Sequence, residues 1–290
     1  MLPAESLDNK INEFWPKSGP STQEVEKYIK KYSKEKIVIK CGGRVLLDQV
    51  LFNNFIDDIA VLKKLGLTPI VVHGGGPRIK NKLDELNIET KFIMGLRVTD
   101  QKVIKIVEDV MIEFNKEIVG ALQKKICKAK PITIKENNII YVQQKNKELG
   151  YVGYPTRVDT KIINNFIKED FIPVVAPMGL DEKGQAYNIN ADIAAGALSK
   201  SLKSRRLLLM TDVEGVYDKN KKSISEIKPS DAEKLIHDGT IQEGMIPKIR
   251  TCISAVESGV KGVVIIDGRK PHSILFELFS DKGAGTLIRK

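Results

Sequence analysis

The sequence predicts an α/β protein, an open and mainly parallel sheet sandwiched by helices. Three observations carry that prediction. Short runs rich in Val and Ile recur at 37–39, 69–72, 172–176, 207–211 and 262–266, and each reads as a strand buried on both faces. Helical patterns lie between them, an alternation that builds parallel strands through helical crossovers. Two of the runs end in glycine-rich turns, Lys40-Cys41-Gly42-Gly43 and His73-Gly74-Gly75-Gly76-Pro77. There the backbone can approach a ligand closely, and the N–H groups of a following helix can face an anion.

Taken in order, the first 36 residues stand apart as an N-terminal helical arm. Pro3, Pro16, Gly19 and Pro20 interrupt the start, and Ser21 with Glu24 forms a capping pattern before Val25, Tyr28, Ile29 and Tyr32. That stripe follows helical spacing on a helix too short to be stable alone. It must dock on its own domain or reach a neighbouring subunit. Leu51, Phe55, Ile59, Leu62 and Leu65 form a second apolar stripe. A third runs from Val103 through Val107, Met111, Phe114 and Ile118 to Leu122, opened by a cap at Thr99 or Asp100. Residues 131–143 pattern as a hairpin turning at Glu136-Asn137-Asn138. Ser230 and Glu233 make a capping box for a short helix that stops at Gly239. No internal repeat or low-complexity tract is present.

Composition narrows the class. The 290 residues are 42% hydrophobic and 29% charged, as in ordinary globular proteins, and long enough for one large domain or two lobes. No apolar run approaches the roughly 18 residues of a membrane span. The N-terminal stretch carries Glu5, Asp8 and Glu13 and resembles neither a secretory signal nor a transit peptide, so a cytoplasmic location is expected. Three cysteines, Cys41, Cys127 and Cys252, without a CxxC pair argue against a disulfide framework or a zinc site. The net charge of +10 suits anionic small molecules. Its basic clusters fall in connections without interleaved aromatic residues, unlike a single-strand nucleic-acid binder.

The glycine turns match none of the common phosphate or hydrolase motifs. No GKS or GKT follows either turn, HGGG is not GxGxxG, and no GxSxG nucleophile accompanies it. The order of the other motifs is the informative signal. VIKCGG is followed by VVHGGGP, GLRVTD (95–100), ELGYVG (148–153), NINAD (188–192), TDVEGV (211–216), GMIPK (244–248) and GAGT (283–286). This series, from about residue 25 onward, resembles the amino-acid kinase family, and within it the branch acting on N-acetyl-L-glutamate.

The resemblance implies two lobes, residues 37–187 binding the acetylated amino acid and making a dimer contact, and residues 188–290 binding ATP, with 1–36 as an interlacing arm. It implies phosphoryl transfer from ATP, with Mg2+, to the side-chain carboxylate of N-acetyl-L-glutamate. That carboxylate is ionised near neutral pH and needs no general base, so His73 is expected to brace its loop. By resemblance Lys40 and Lys248 flank the transferring group and Asp192 orients both. Gly42, Gly43 and Asp212 fall on the phosphate side. Gly75, Gly76, Arg97, Asn188 and Asn190 fall on the amino-acid side, Asn190 serving equally well as a helix cap.

The arm and the C-terminal segment resemble the arginine-inhibited members, which assemble as hexameric trimers of dimers. Tyr28, His272, Glu277 and Gly283 are the corresponding effector residues, and a PII-type nitrogen sensor is a possible partner. Cys41, Arg44 and Glu243 depart from the usual pattern. Another kinase of this fold, or a non-catalytic arginine-sensing protein built on it, is the alternative.

Overall fold

The computed structural model describes residues 11, 13–22, 25–242 and 244–290. Glu24 of the capping pattern, Glu243, and the side chain of Arg44 lie outside the described residues.

The arm ends in α1 (Val25–Tyr32) and leads into β1 (Lys36–Cys41), α2 (Gln49–Lys64), β2 (Thr68–His73) and α3 (Gly76–Glu85). A small ribbon, β3 (Phe92–Ile93) with β4 (Leu96–Arg97), precedes the long α4 (Gln101–Lys124). Next come β5 (Ala129–Ile132), β6 (Ile140–Gln144), β7 (Gly153–Val158), α5 (Thr160–Lys168), β8 (Ile172–Val175), β9 (Met178–Leu180) and β10 (Ala186–Asn188). Then follow α6 (Ala191–Leu202), β11 (Arg206–Thr211), β12 (Val216–Tyr217), β13 (Ser223–Ile224), β14 (Glu226–Ile227) and α7 (Pro229–His237). The last elements are α8 (Met245–Glu257), β15 (Val263–Asp267), α9 (Ser273–Phe279) and β16 (Gly285–Ile288).

Eight strands form the central sheet, in the order β14-β16-β15-β11-β1-β2-β8-β5. Every pairing in it is parallel except β15 with β16. Alternation along β1 explains why both faces are covered. Ile37 and Ile39 join the core formed with α1, α2, α4 and α9, whereas Val38 joins the core beneath α5, α6 and α8. All five apolar runs read from the sequence are strands of this sheet.

Two local expectations change, and a third is resolved. Residues 131–143 do not form a hairpin, because β5 pairs with β8 in the central sheet while β6 pairs with β7 and β9 in a separate four-stranded sheet. The turn survives as a Thr133 N–H bond of 2.8 Å to the Glu136 carbonyl, with Asn137 at φ +62° redirecting the chain. In α7 the box from Ser230 to Glu233 does not cap. Lys228 holds the cap position, and Pro229 begins the helix, where its missing N–H costs nothing. For α4 the cap is Asp100, which accepts from Lys102 and Val103 N–H. Among the described residues no helix is long and apolar enough to cross a membrane.

Candidate active site

The C-terminal ends of β1, β2 and β11 meet where parallel α/β sheets ordinarily open toward ligands. Lys40, the second-last residue of β1, is buried, and its Nζ lies 3.4 Å from the Met210 carbonyl of β11. Its charge is met by Asp192, whose Oδ1 is 3.0 Å from Lys40 Nζ, while Oδ2 accepts from Lys248 Nζ. The side chains of Lys40, Asp192 and Lys248 are only 9, 14 and 12% exposed. Burial alone would raise the Asp192 carboxyl, but the Lys40 and Lys248 ammonium groups hold it far below the usual carboxylate range.

Three elements distant in sequence make this bridge. Asp192 sits at the start of α6 and Lys248 in the first turn of α8. The two helices can cross closely because Gly196 lacks a side chain, and a Cβ there would stand 2.8 Å from Thr251 Cγ2. Asn190 caps α6 by accepting from Asp192 N–H at 3.0 Å and Ile193 N–H at 3.2 Å. Its side chain is therefore used as a cap in this structure, and the cap fixes the backbone that carries Asp192.

The first glycine turn closes over the lysine, and the second packs against the first. A Cβ on Gly42 would overlap Lys40 Nζ, and Gly43, at φ +66°, leaves room that the Asp212 carboxylate fills. Asp212 directly follows β11, so the strand beside β1 supplies it. Gly74 N–H donates to the Cys41 carbonyl at 2.7 Å, tying the second turn to the first. Gly75 is the cap residue of α3, with no side chain to satisfy the helix start. Among the described residues no acceptor takes the N–H of Gly42 or Gly75. A free Gly42 N–H beside the lysine, with the free Gly75 N–H on the adjoining turn, makes a cradle for an anion.

His73 lies beneath this cradle, fully buried. Burial lowers its imidazole to about 4, so it is neutral near pH 7. Nδ1 lies 2.9 Å from the Gly74 carbonyl and Nε2 lies 3.1 Å from the Asn115 amide nitrogen. It braces the loop, as its sequence context suggests. Cys41 is also buried, and burial pushes its thiol up to about 12, which makes it an inert part of the strand.

The residues expected on the amino-acid side gather more loosely. Arg97 is buried, donates to Thr90 Oγ1 at 2.7 Å and to the Gly76 carbonyl at 3.2 Å, and lies over the Phe92 ring. It therefore adjoins the second glycine turn. Thr99 N–H bonds the Leu149 carbonyl, Tyr151 N–H bonds the Thr99 carbonyl, and Asn188 N–H bonds the Tyr151 carbonyl. Asn188 Nδ2 also reaches Thr99 Oγ1 at 3.4 Å. These bonds knit GLRVTD, ELGYVG and NINAD into one wall, although they lie far apart in sequence.

The residues expected to serve an effector lie elsewhere, against the outer helices. Tyr28 Oη donates to Asp281, Ala284 N–H donates to Glu277 Oε2 at 2.9 Å, and a Cβ on Gly283 would stand 2.8 Å from that same oxygen. Burial raises the Glu277 carboxyl, while Ala284 N–H and the nearby Arg206 and Lys31 charges oppose the rise. Tyr28, Glu277 and Gly283 thus collect where α1 meets α9. His272 does not join them. It precedes α9 at the opposite end, where its Nδ1 lies 2.6 Å from Asp58 of α2.

Asp58 and Asn115 were not anticipated as site residues. The signal was available, since each is a polar residue at a buried position of an apolar helical stripe.

Comparison with known proteins gives the same reading of the fold. Residues 35–267 match the description "Amino acid kinase family". An acetylglutamate kinase from Pelagibacter ubique is 58% identical over 283 residues, 98% of each chain. Another from Nitrobacter winogradskyi is 45% identical over 277 residues, 91% of this chain and 93% of that one. A crystal structure of N-acetylglutamate synthase from Neisseria gonorrhoeae, complexed with coenzyme A and N-acetyl-glutamate, superposes with a TM-score of 0.82. It is 22% identical and aligns with 92% of this chain but 62% of its own, so that likeness concerns the fold alone. With a matching domain over most of its length and near full-length relatives of high identity, this chain belongs to the amino acid kinase family.

Proposed function

We propose that this chain transfers the γ-phosphoryl group of ATP to the side-chain carboxylate of N-acetyl-L-glutamate, giving N-acetyl-L-glutamyl 5-phosphate in arginine biosynthesis. The observation that carries the reading is Asp192 held between Lys40 and Lys248 beside two glycine turns. The identity to acetylglutamate kinases over nearly the full chain supports the choice of acceptor.

The chemistry suits these residues. A carboxylate oxygen of the acceptor forms a bond to the γ-phosphorus as the bond to ADP breaks, and no proton has to be removed from the nucleophile. Two anions must therefore be held in line. Lys40 and Lys248 stabilise negative charge on the moving group, and Asp192 keeps the two cations close without ligand. Gly42 and Gly75 offer N–H donors to phosphoryl or carboxylate oxygens. Arg97 spends one N–H on Thr90 and one on Gly76, and its other N–H groups remain to hold the α-carboxylate in a bidentate clamp. Asn188, through the wall it shares with Thr99, borders the same amino-acid side.

Magnesium belongs to this proposal through the nucleotide. Among the described residues no group of three or more His, Cys, Asp or Glu is placed to hold a metal, and both Asp192 oxygens face lysines. The site fits an ion that enters with ATP, ligated mainly by phosphate and water. When bound, it would neutralise phosphate charge.

In this reading residues 37–187 serve acetylglutamate and a dimer contact, residues 188–290 serve ATP, and residues 1–36 link dimers into a hexamer in the cytoplasm. Arginine inhibits by binding near Tyr28, Glu277 and Gly283, with Glu277 facing the guanidinium, and a PII-type sensor is a candidate regulator. The packing of α1 against the C-terminal segment through Tyr28 and Asp281 supports a shared effector pocket there.

The test is acyl phosphate formation trapped as the hydroxamate, with ATP and Mg2+, comparing N-acetyl-L-glutamate with glutamate, aspartate and carbamate precursors, each with and without arginine. Turnover confined to N-acetylglutamate is the expected result. Turnover with another acceptor instead would reassign the substrate within the family, and insensitivity to arginine would remove the effector reading.

A further inference from the structure

Asn115 is fully buried in α4 on the apolar stripe that includes Met111, Phe114 and Ile118. An aliphatic residue would suit that stripe. Instead an amide is present, and among the described residues its Oδ1 has no hydrogen-bond partner. A buried polar atom left unpaired is a cost, so the amide nitrogen must accomplish something a leucine cannot.

Its two contacts define the task. Asn115 Nδ2 donates to the Val174 carbonyl at 2.9 Å, and it lies 3.1 Å from His73 Nε2. Val174 fixes which way round the amide sits, because the reverse orientation would set Oδ1 against a carbonyl oxygen. The nitrogen therefore faces His73, and Nε2 must act as an acceptor. The single imidazole proton is then on Nδ1, which donates to the Gly74 carbonyl at 2.9 Å. Burial, which lowers this imidazole to about 4, keeps the second proton off.

The Gly74 carbonyl belongs to the same peptide unit as the Gly75 N–H. In a trans peptide the two groups point in opposite directions, so anchoring the carbonyl on His73 turns the N–H away from the core. The peptides on either side are fixed as well, since Gly74 N–H is bonded to the Cys41 carbonyl and the Gly75 carbonyl accepts from Ile79 N–H at 2.8 Å. Gly74 also lies against the first turn, its would-be Cβ 3.6 Å from Gly42 Cα.

We propose that Asn115 is a positioning residue for phosphoryl transfer, fixing the tautomer of His73 so that the Gly75 N–H is aimed as a donor at the reacting anions. The inference rests on the assignment of the glycine turns to the phosphoryl-transfer site.

The experiment joins kinetics to nitrogen-15 NMR of the imidazoles in the full-length protein, in which His73 is one of three histidines. In the wild type, His73 is expected as the neutral Nδ1–H tautomer near pH 7. Finding the Nε2–H form there would overturn the proposal without any variant. Asn115→Leu should mix the tautomers and lower kcat by roughly tenfold to a hundredfold, with KM for ATP and acetylglutamate within about threefold, as for a misaimed oxyanion donor. In His73→Asn, whose smaller amide replaces the Nδ1 donation only in part, kcat should fall by itself. Adding Asn115→Leu to that variant should lower it no further.

A full additional loss in the double variant would overturn the relay, as would a changed tautomer with unchanged kcat. Lys40→Ala in the same assay separates the underlying reading from this one. If Lys40→Ala turns over like wild type, the site assignment itself fails, whatever the tautomer of His73.

Discussion

Replacing Asp192 by Asn tests the charge arrangement most directly. The carboxylate holds Lys40 Nζ at 3.0 Å on one oxygen and Lys248 Nζ on the other, so the two ammonium groups lie within about 7 Å of each other. At an effective dielectric near 20 their mutual repulsion is about 2 kcal/mol, and each attraction lost is worth ~4 kcal/mol before solvent re-enters. Removing one partner of a buried ionic group usually costs about 3–5 kcal/mol. The expected loss of folding stability at pH 7 is therefore ~3 kcal/mol, read by denaturant titration. If the lysines splay apart and lose even that much of their transition-state stabilisation, kcat falls roughly 100-fold.

The ATP dependence distinguishes this account from general damage. Triphosphate supplies the missing negative charge, so KM for ATP should stay near the wild-type value or fall while kcat drops. ATP should also raise the melting temperature of Asp192→Asn more than that of the wild type. Hydroxamate kinetics and a melting series with ATP make the comparison. A variant with kcat within threefold of wild type and a raised KM would refute the reasoning, for it would show Asp192 acting only in ground-state binding.

Gly43→Ala places a Cβ at φ +66° and against the Asp212 carboxylate; a loss of about 1–3 kcal/mol in stability is expected, with weaker ATP binding measurable by calorimetry. His73 is lowered to about 4 in the folded chain against about 6.5 unfolded, so the unfolded state binds the extra proton between those values. Its contribution is complete above pH 6.5 and is lost as pH falls toward 4, amounting to about 3 kcal/mol; denaturation of wild type and His73→Asn at pH 7 and pH 4 should show the difference shrinking by that order. His272 has the opposite sign. Its hydrogen bond to Asp58 raises its pKa, so its contribution is present below about pH 6.5 and is lost as pH rises through the folded value; the destabilisation of Asp58→Asn should be larger at pH 6 than at pH 8.5. Glu277→Gln should raise the arginine concentration for half-inhibition about tenfold or more, since the carboxylate would no longer make a charge-assisted bond to a guanidinium.

How much of this was legible beforehand depended on whether a residue announces itself locally. Five of the eight central strands, β1, β2, β8, β11 and β15, are apolar runs because both faces are buried, so their existence could be read directly, whereas their order in the sheet could not. Lys40, Asp192 and Lys248 were identifiable by their place in motifs; their convergence was not, since it depends on the crossing of α6 and α8 at Gly196, a contact between residues 55 positions apart. The separation of β5 from β6 was hidden for a similar reason. Two strands joined by a short polar turn have the pattern of a hairpin, and only the availability of β8 as a more buried partner draws β5 into the other sheet.

Asn115 and Asp58 show where a pattern reading discards information. A helical stripe is recognised by averaging over apolar positions, and one polar residue within it looks like noise. In the folded chain such a residue cannot be noise, because burial without a partner is costly and selection has cheap apolar substitutes. Asp58 on α2 meets His272 before α9, and Asn115 on α4 meets His73 at the end of β2. In both cases the helix sends a single polar group through an apolar face to hold an imidazole, one before α9 and one beneath the glycine turn. The same logic can be used in reverse on this chain. Thr286, wholly buried in an otherwise apolar strand, accepts from Val216 N–H at 2.8 Å and donates to the Ile224 carbonyl at 2.5 Å, so it locks the loop that begins at Asp212. Thr286→Val preserves the shape and removes both bonds. Freed from that anchor, the loop on the nucleotide side should bind ATP more weakly while the acetylglutamate KM is unaffected.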